Sequence, residues 1–272
     1  MQQTTPLKAD LKFLADRDAE LVYVPSKGGG DTTEHIGTFH LQQGELRNAR
    51  HLACPNLDVE GFQLVQQSTA VGDFQNNTQL AETWHKEVRS LLLNVTGASR
   101  VEVFDDTLRS ASLQQQQARG IREPATIVHN DYTARSGIKR LRDFFCDDPD
   151  EIERLLQRRF AIINVWRSTA GPVMNHALAV CDATTIQPDQ LVAIERRAEE
   201  RVGELQTALF DEKQRWYYYP QLQIDEAILI KTFDSDTEGR TRFTIHTAFA
   251  DPTAAADLPP RESIETRCFV FF

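Results

Sequence analysis

The sequence predicts a mainly β protein with helical decoration, a double-stranded β-helix of the jelly-roll, cupin-like kind. Short β-branched and aromatic runs recur along most of the chain, separated by turn residues. Helical periodicity is confined to a few stretches in the first half and the middle. No glycine-rich strand–turn–helix unit points to a Rossmann fold.

Taken in order, residues 35–50 and 58–66 hold short alternating runs that read as strands, with turns at Gly44 and Gly61. Ser26 to Thr33 is a flexible loop. Its glycines lack the Gly-Lys-Ser/Thr ending that cradles phosphate. Leu80 to Val95 is the clearest helix, because Leu80, Trp84, Val88, Leu91 and Leu92 fall on one stripe and Gly97 follows as a stop. Val101 to Phe104 is a strand, and Leu113 to Arg122 is a loop or solvated helix. Asp147-Asp148-Pro149 opens a second helix through Gln157, since Asp caps free amides and Pro suits the first turn. Phe160 to Trp166 is a buried strand, and Leu191 to Phe210 fits either helix or strands. Trp216 to Tyr219, Ala227 to Phe233, Arg242 to Phe249 and Ser263 to Phe272 complete the β half. The expected organisation is one domain over 1–272, in which about 1–95 packs as a strand and helix extension on a jelly-roll core of about 96–272.

The chain has 272 residues, 40% hydrophobic, enough for a substantial core. Its net charge of −10 argues against a nucleic-acid partner, which needs a basic surplus. No apolar run approaches the roughly 20 residues of a membrane helix. The first residues lack the basic-then-apolar pattern of a leader. The expectation is a cytoplasmic enzyme with a small-molecule substrate, with no nucleic acid or membrane partner and with a homodimer left open. Cys54, Cys146, Cys181 and Cys268 are widely spaced, which gives neither a zinc ribbon nor a redox pair. The aromatics (15 Phe, 5 Tyr, 3 Trp) are expected mostly in the core, with some lining an apolar pocket.

Chemistry concentrates in Ala125 to Gly137. The apolar run Ala125 to Val128 ends in His129-Asn130-Asp131, and on extended backbone residues i and i+2 share a face. His129 and Asp131 can therefore reach one point, as a ferrous ion held by two His and one carboxylate requires. A strand-end His bonded to a turn Asp would look the same in sequence. His246, in the run Thr241 to Phe249, can complete the set because a jelly roll places strands distant in sequence side by side. A satisfied core histidine is the plain alternative there. His35, His40, His51, His85 and His176 sit in poorer contexts. Arg261 and Ser263 share a face at the start of the last strand, where a guanidinium and a hydroxyl can grip a carboxylate. Such a grip suits the far carboxylate of 2-oxoglutarate. Arg267 lies on the same face and is the reserve anchor.

Ordered blocks along the chain resemble the fungal and bacterial hydroxylase/desaturase family of Fe(II)/2-oxoglutarate-dependent oxygenases. That family spans cephamycin 7α-hydroxylase components and meroterpenoid endoperoxide formation. The blocks are Thr96 to Arg109, Val128 to Thr133, Asn164 to Arg167, Gly171 to Val173, Arg215 to Tyr218, Asp225-Glu226, Lys231, Asp234-Ser235, His246 to Phe249, Asp251-Pro252 and Pro260 to Arg267. The resemblance implies a double-stranded β-helix using Fe(II), 2-oxoglutarate and O2. It implies His129, Asp131 and His246 as metal ligands, with Arg261 and Ser263 holding the co-substrate. It adds Asn164 and Arg167 as pocket residues. Asp106 and Gln214 stand where the family pattern has His, a departure expected to alter the substrate pocket or the support around the metal. The resulting expectation is oxidation of a small specialised metabolite by hydroxylation, desaturation, cyclisation or endoperoxide formation. A cupin-like metal isomerase or hydrolase that does not use 2-oxoglutarate is the alternative. A binding protein that has lost its metal is a third reading.

Overall fold

The computed structural model describes residues 5–17, 20–199, 201–255 and 257–272. The first four residues, read above for the absence of a leader, lie outside them. Strands β1 (Leu7–Leu14), β2 (Val22–Val24), β3 (Glu34–Ile36), β4 (Phe39–Asn48) and β5 (Phe62–Gln66) come first. A single turn α1 (Asn77–Gln79) runs through a π-helical turn, Leu80–Trp84, into α2 (His85–Thr96). Next are β6 (Arg100–Ser110), α3 (Leu113–Arg119), β7 (His129–Asn130), α4 (Ala134–Phe144) and α5 (Pro149–Leu156). The remainder comprises β8 (Phe160–Ser168), β9 (Leu178–Cys181), β10 (Leu191–Ala198) and β11 (Arg201–Ala208). It ends with β12 (Trp216–Tyr218), β13 (Glu226–Asp234), β14 (His246–Ala248) and β15 (Glu262–Phe271).

These strands form two sheets, ordered β1-β4-β12-β9-β14-β7-β11-β10-β2-β3 and β5-β13-β8-β15-β6. The fold is the jelly roll that the sequence predicts. Every residue of β8 and β13 is buried, because their sheet is covered on both faces. In β8, Asn164 and Trp166 alternate with Ala161, Ile163 and Val165, which pack with Trp84, Val88 and Leu92 of the helical stripe. Those three helical residues are fully enclosed, and burying each contributes about 1.5–3 kcal/mol. Asn76 caps the start by accepting from the Gln79 amide, and Gly97 ends the helix at φ 68°. The helix thus braces the five-stranded sheet from outside and leaves its other face to the interior.

Several elements differ from expectation for identifiable reasons. Leu191 to Phe210 resolves into the β10–β11 hairpin, where Ile194 pairs with Leu205. Gly44 is not a turn. It lies within β4 opposite Ala9, where an added Cβ would sit 3.1 Å from the Leu11 side chain. Gly61 does take a positive φ, 84°. Residues 1–95 supply strands to both sheets: β1 and β4 pair with each other, β4 with β12, and β5 with β13. The buried Lys231 ammonium bonds Asp58 (2.6 Å) and Asp234 (2.9 Å), and Arg159 also holds Asp234, tying the first half of the chain to the second.

Helix α4 follows the chemistry-bearing segment directly. Thr133 caps it, exchanging bonds with Ser136, and Gly137 lies against the Phe233 ring. A Cβ at Gly137 would stand 2.3 Å from that ring, so Gly137→Ala forces the helix off the sheet. The expected loss is about 1–3 kcal/mol from overpacking, despite Ala's better helix propensity. Thermal unfolding measures it, and an unchanged or raised Tm would contradict this packing.

Candidate metal centre

β7 is only two residues long and sits between β14 and β11. Its pairing with β14 puts His246 directly opposite His129, with ring centroids 4.5 Å apart. Asp131 follows immediately, its Oδ1 3.6 Å from His129 Nε2. One donor atom from each of His129, Asp131 and His246 lies within 4.8 Å of the others. The fold therefore gathers the three side chains that the sequence singles out, although two lie on strands of two and three residues.

The hydrogen bonds around this group orient it. Ile127 O can only accept, so His129 Nδ1 donates to it at 2.7 Å and Nε2 is left bare toward the centre. Asp131 Oδ2 accepts from Asn164 Nδ2 at 2.7 Å and from Arg267 Nε at 2.9 Å, which leaves Oδ1 as the inward oxygen. Asn164 also donates to Glu265 Oε1 at 2.9 Å, and Glu265 Oε1 lies 4.0 Å from His246 Nε2. His246 Nδ1 is buried with no hydrogen-bond partner among the described residues.

Electrostatics fixes the protonation that a cation needs. Burial would raise the Asp131 carboxyl, but Arg267 and the two imidazoles outweigh it and hold it well below the ordinary carboxylate range. His129 is pushed down to about 4 by burial and by His246, against the opposing pull of Asp131. An ionised carboxylate and a neutral imidazole are the forms that ligate metals.

The lowered His129 pKa has a consequence for stability. Folding excludes a proton that the unfolded imidazole takes up below about 6.5. His129 then contributes stability above that pH and loses it as pH falls toward 4, by up to about 3 kcal/mol. Thermal melts of metal-free protein at pH 7 to 4 should show Tm falling through this window. In His129→Gln, the part of the fall between pH 6.5 and 4 should shrink.

Other expected site residues separate into three groups. Arg261 and Ser263 face the interior from the start of β15, each almost fully buried. The Arg261 guanidinium lies 5.3 Å over the Trp166 ring and gives one hydrogen bond, to His176 O at 2.7 Å. Its Nε, and the Ser263 Oγ, are buried without partners among the described residues. Burial and nearby Arg109 push the guanidinium down to about 9, against Glu265. A buried cation and hydroxyl with unmade bonds are costly unless an anion completes them.

Arg267, the reserve anchor, is already engaged: it bonds Asp131, Asp105, Glu265 and Thr107. Asn164 is likewise occupied with Asp131 and Glu265. Both position the carboxylate rather than offering free donors to a co-substrate. Arg167 has to be removed from the pocket. Three residues after Asn164 on a strand, it points to the opposite face, where it donates to the Gln67 and Ile224 carbonyls and lies over Trp84. Asp106 also faces that side, bonding Thr266 and His85, and Gln214 bonds Gln190 and Leu209 O at the ends of the β10–β11 hairpin. Neither lines the cavity before the triad. Glu265 was not singled out in the sequence, although its place two residues from both Ser263 and Arg267 gives it their face.

A cavity of about 1110 Å³ opens on His129, Asp131 and Arg267, walled by β6, α4, the β10–β11 hairpin and residues 23–27. Its walls are largely polar, and among its aromatics are only Tyr23, Phe104 and Tyr132. The apolar aromatic pocket expected from composition is not what lines it, since most rings pack in the three core clusters.

Comparison with known proteins bears on this geometry. A family described as "Oxidoreductase/YMDC permease-like domain" matches residues 11–271. The hydroxylase/desaturase CTB9 of Cercospora beticola is 33% identical over 239 residues, covering 80% of this chain and 72% of that protein. The Fe(II)/2-oxoglutarate-dependent dioxygenase nvfI of Aspergillus novofumigatus is 38% identical over 187 residues, 68% of this chain and 64% of that one. A solved structure of the iron and alpha-ketoglutarate-dependent endoperoxidase NvfI superimposes with a TM-score of 0.83 at 29% identity, over 99% of each chain. The chain is therefore an oxidoreductase that belongs to the hydroxylase/desaturase family of Fe(II)/2-oxoglutarate-dependent oxygenases, enzymes that use Fe(II), 2-oxoglutarate and O2.

Proposed function

We propose that this protein oxidises a small specialised metabolite in the cytoplasm, with Fe(II) held by His129, Asp131 and His246 and 2-oxoglutarate gripped by Arg261 and Ser263. The observation that carries the reading is the His-Asp-His group on one sheet together with, at the start of β15 in the other, a buried guanidinium Nε and hydroxyl that lack acceptors among the described residues. When bound, iron and 2-oxoglutarate would together reduce O2, the keto acid being oxidised to succinate and CO2 while the substrate gives up the remaining electrons.

The chain's own residues do the rest. Ile127 O fixes the His129 tautomer, so the ring offers Nε2 without rotating. Asn164 and Arg267 hold Oδ2 of Asp131, so the carboxylate offers Oδ1 alone and the other side of the group stays open. Arg261 Nε and Ser263 Oγ donate to the co-substrate carboxylate, which supplies the acceptors they lack. The surrounding strands exclude water: His246 is 3% exposed and Arg261 3%. Hydroxylation, desaturation, cyclisation and endoperoxide formation all begin with one hydrogen taken from the substrate. The choice among them rests with how the cavity walls place the radical carbon. Relatives named for 2-oxoglutarate support this reading over a cupin-like isomerase or hydrolase.

Anaerobic protein given Fe(II) and then 2-oxoglutarate should develop the weak visible charge-transfer band of the chelate, and admission of O2 should yield succinate. Tight Fe(II) binding with no band and no succinate would favour the alternative that does not use the keto acid.

A further inference from the structure

The cavity that opens on His129 and Asp131 carries a charge opposite to that of the whole chain. The protein has a net charge of −10, yet the walls collect arginines from four separate segments: β6, the segment before β7, α4 and the β10–β11 hairpin. Backbone pairing places them side by side. Arg109 and Arg122 are bridge partners, so their side chains leave adjacent backbone positions. On the hairpin, Arg196 pairs with Gly203 and Ala198 with Arg201, which makes Arg196 and Arg201 diagonal neighbours on one face.

The acids on the same walls offset them only in part: Asp105 acts on Arg122 and Arg140, and Asp143 on Arg140, but from beyond ion-pair distance. Asp131 and Asp105 are held by Arg267, Asp143 by Lys139, Glu199 by Lys27 and Glu204 by Arg135. Among the described residues, Arg122, Arg140, Arg196 and Arg201 have no carboxylate at ion-pair distance. Arg109, among the described residues, donates only to the Glu123 carbonyl. Arg140 lies 4.7 Å over the Phe104 ring, and its Nε is buried with no partner among those residues. Burial first, and then one another's charge, lower these guanidinium pKa values: Arg109 acts on Arg122, Arg201 on Arg140, and Arg201 and Arg122 on Arg196. They therefore face a common space.

Gathering like charges without close counter-ions opposes folding, and packing alone gives no reason for it. The arrangement suits a ligand that brings the missing negative charge, since guanidinium forks bind oxyanions through paired hydrogen bonds. We infer that the substrate is an acidic small molecule whose carboxylate or comparable oxyanion is received by Arg122, Arg196 and Arg201, while its apolar body lies toward Tyr23, Phe104 and Leu205. The inference rests on the oxygenase reading above and adds a substrate class to it. The cluster is a specificity device, distinct from the proposed co-substrate anchor at Arg261 and Ser263.

A matched probe pair tests it: 8-anilinonaphthalene-1-sulfonate and its uncharged counterpart N-phenyl-1-naphthylamine. Both are titrated by fluorescence into protein loaded with Mn(II) and saturating 2-oxoglutarate. The sulfonate should bind at least about ten-fold tighter than the neutral probe, as charge-assisted hydrogen bonds imply, and should weaken with added salt. That preference should vanish in the Arg122→Ala/Arg196→Ala double variant, with neutral-probe binding and the anaerobic Fe(II)–2-oxoglutarate band retained as proof of an intact site. Equal binding of the two probes by wild type would overturn the inference, without recourse to any variant. So would displacement of the sulfonate in a separate titration of Mn(II)-loaded protein in which 2-oxoglutarate is raised from zero, which would assign the arginines to the co-substrate. Failure of the oxygenase reading looks different, because then wild type gives no chelate band whichever probe it prefers.

Discussion

Asp131→Ala and His129→Ala each abolish the visible band of the Fe(II)–2-oxoglutarate chelate and weaken Fe(II) binding by more than about 100-fold. The magnitude follows from comparison, since removing a residue that merely supports a metal ligand costs about 10–100-fold and removing the ligand must cost more. Asp131 is the more revealing position. Its carboxylate is the sole negative charge of the proposed triad, and Arg267 and Asn164 converge on its outer oxygen. Asp131→Ala therefore removes the charge that offsets the metal and frees two donors beside it. Asp131→Asn keeps the shape, and should retain the fold while losing most of the metal affinity. Asn164→Ala, which only loosens the carboxylate, should lose about 10–100-fold. Anaerobic titration with Fe(II), read against a melt of each variant, checks the ordering. An Asp131→Ala protein that still forms the band would remove Asp131 from the metal.

Arg261→Ala raises the KM for 2-oxoglutarate by about 30-fold or more. Truncating one partner of a buried, hydrogen-bonded charge pair costs about 2–5 kcal/mol, because the other charge is left buried and unpaired. In the free protein the arginine already has a deficit that a bound carboxylate would relieve: one bond to His176 O, an Nε unpartnered among the described residues, and a pKa lowered by burial. Arg261→Lys should recover part of the loss, since a point charge cannot reproduce the fork. Ser263→Ala, deleting one neutral hydroxyl, should cost about 1 kcal/mol. Isothermal titration with 2-oxoglutarate on Mn(II)-loaded protein checks all three. Unchanged affinity in Arg261→Ala would show that the keto acid is held elsewhere.

Much of this architecture is legible in the sequence where local rules and burial agree. The α2 stripe, the Asp148-Pro149 start of α5 and the apolar run of β8 announce themselves by period, cap and composition. Helix α4 does not. Its segment looks like a basic cluster, and the residues it buries are Ser136, Gly137 and Leu141, too few apolar groups to draw a stripe. β1 alternates clearly, with Ala9, Leu11 and Phe13 inward, but its partner β4 lies over twenty residues on and only the pairing makes it a strand of the larger sheet.

The site divides in the same way. The i, i+2 rule relates His129 to Asp131, and Arg261 to Ser263. Applied to Asn164 and Arg167 it would have sent them to opposite faces, which is where they lie. The register that sets His246 against His129 is a long-range fact, fixed by how β7 and β14 fit between their neighbours. No local pattern carries it. The arginines of the cavity are invisible for a related reason. They are scattered from residue 109 to residue 201 in a chain that is acidic overall, so neither composition nor any short window gathers them.

Two short strands, remote in sequence, bring three side chains within reach of one cation. A crystal structure of the protein grown anaerobically with Mn(II) and 2-oxoglutarate, with anomalous data, tests it most directly. The predicted result is a single strong anomalous peak bonded to His129 Nε2, Asp131 Oδ1 and the His246 ring, with the keto acid reaching from it to Arg261. A peak bonded elsewhere, or one that leaves His246 outside bonding distance, would contradict the account.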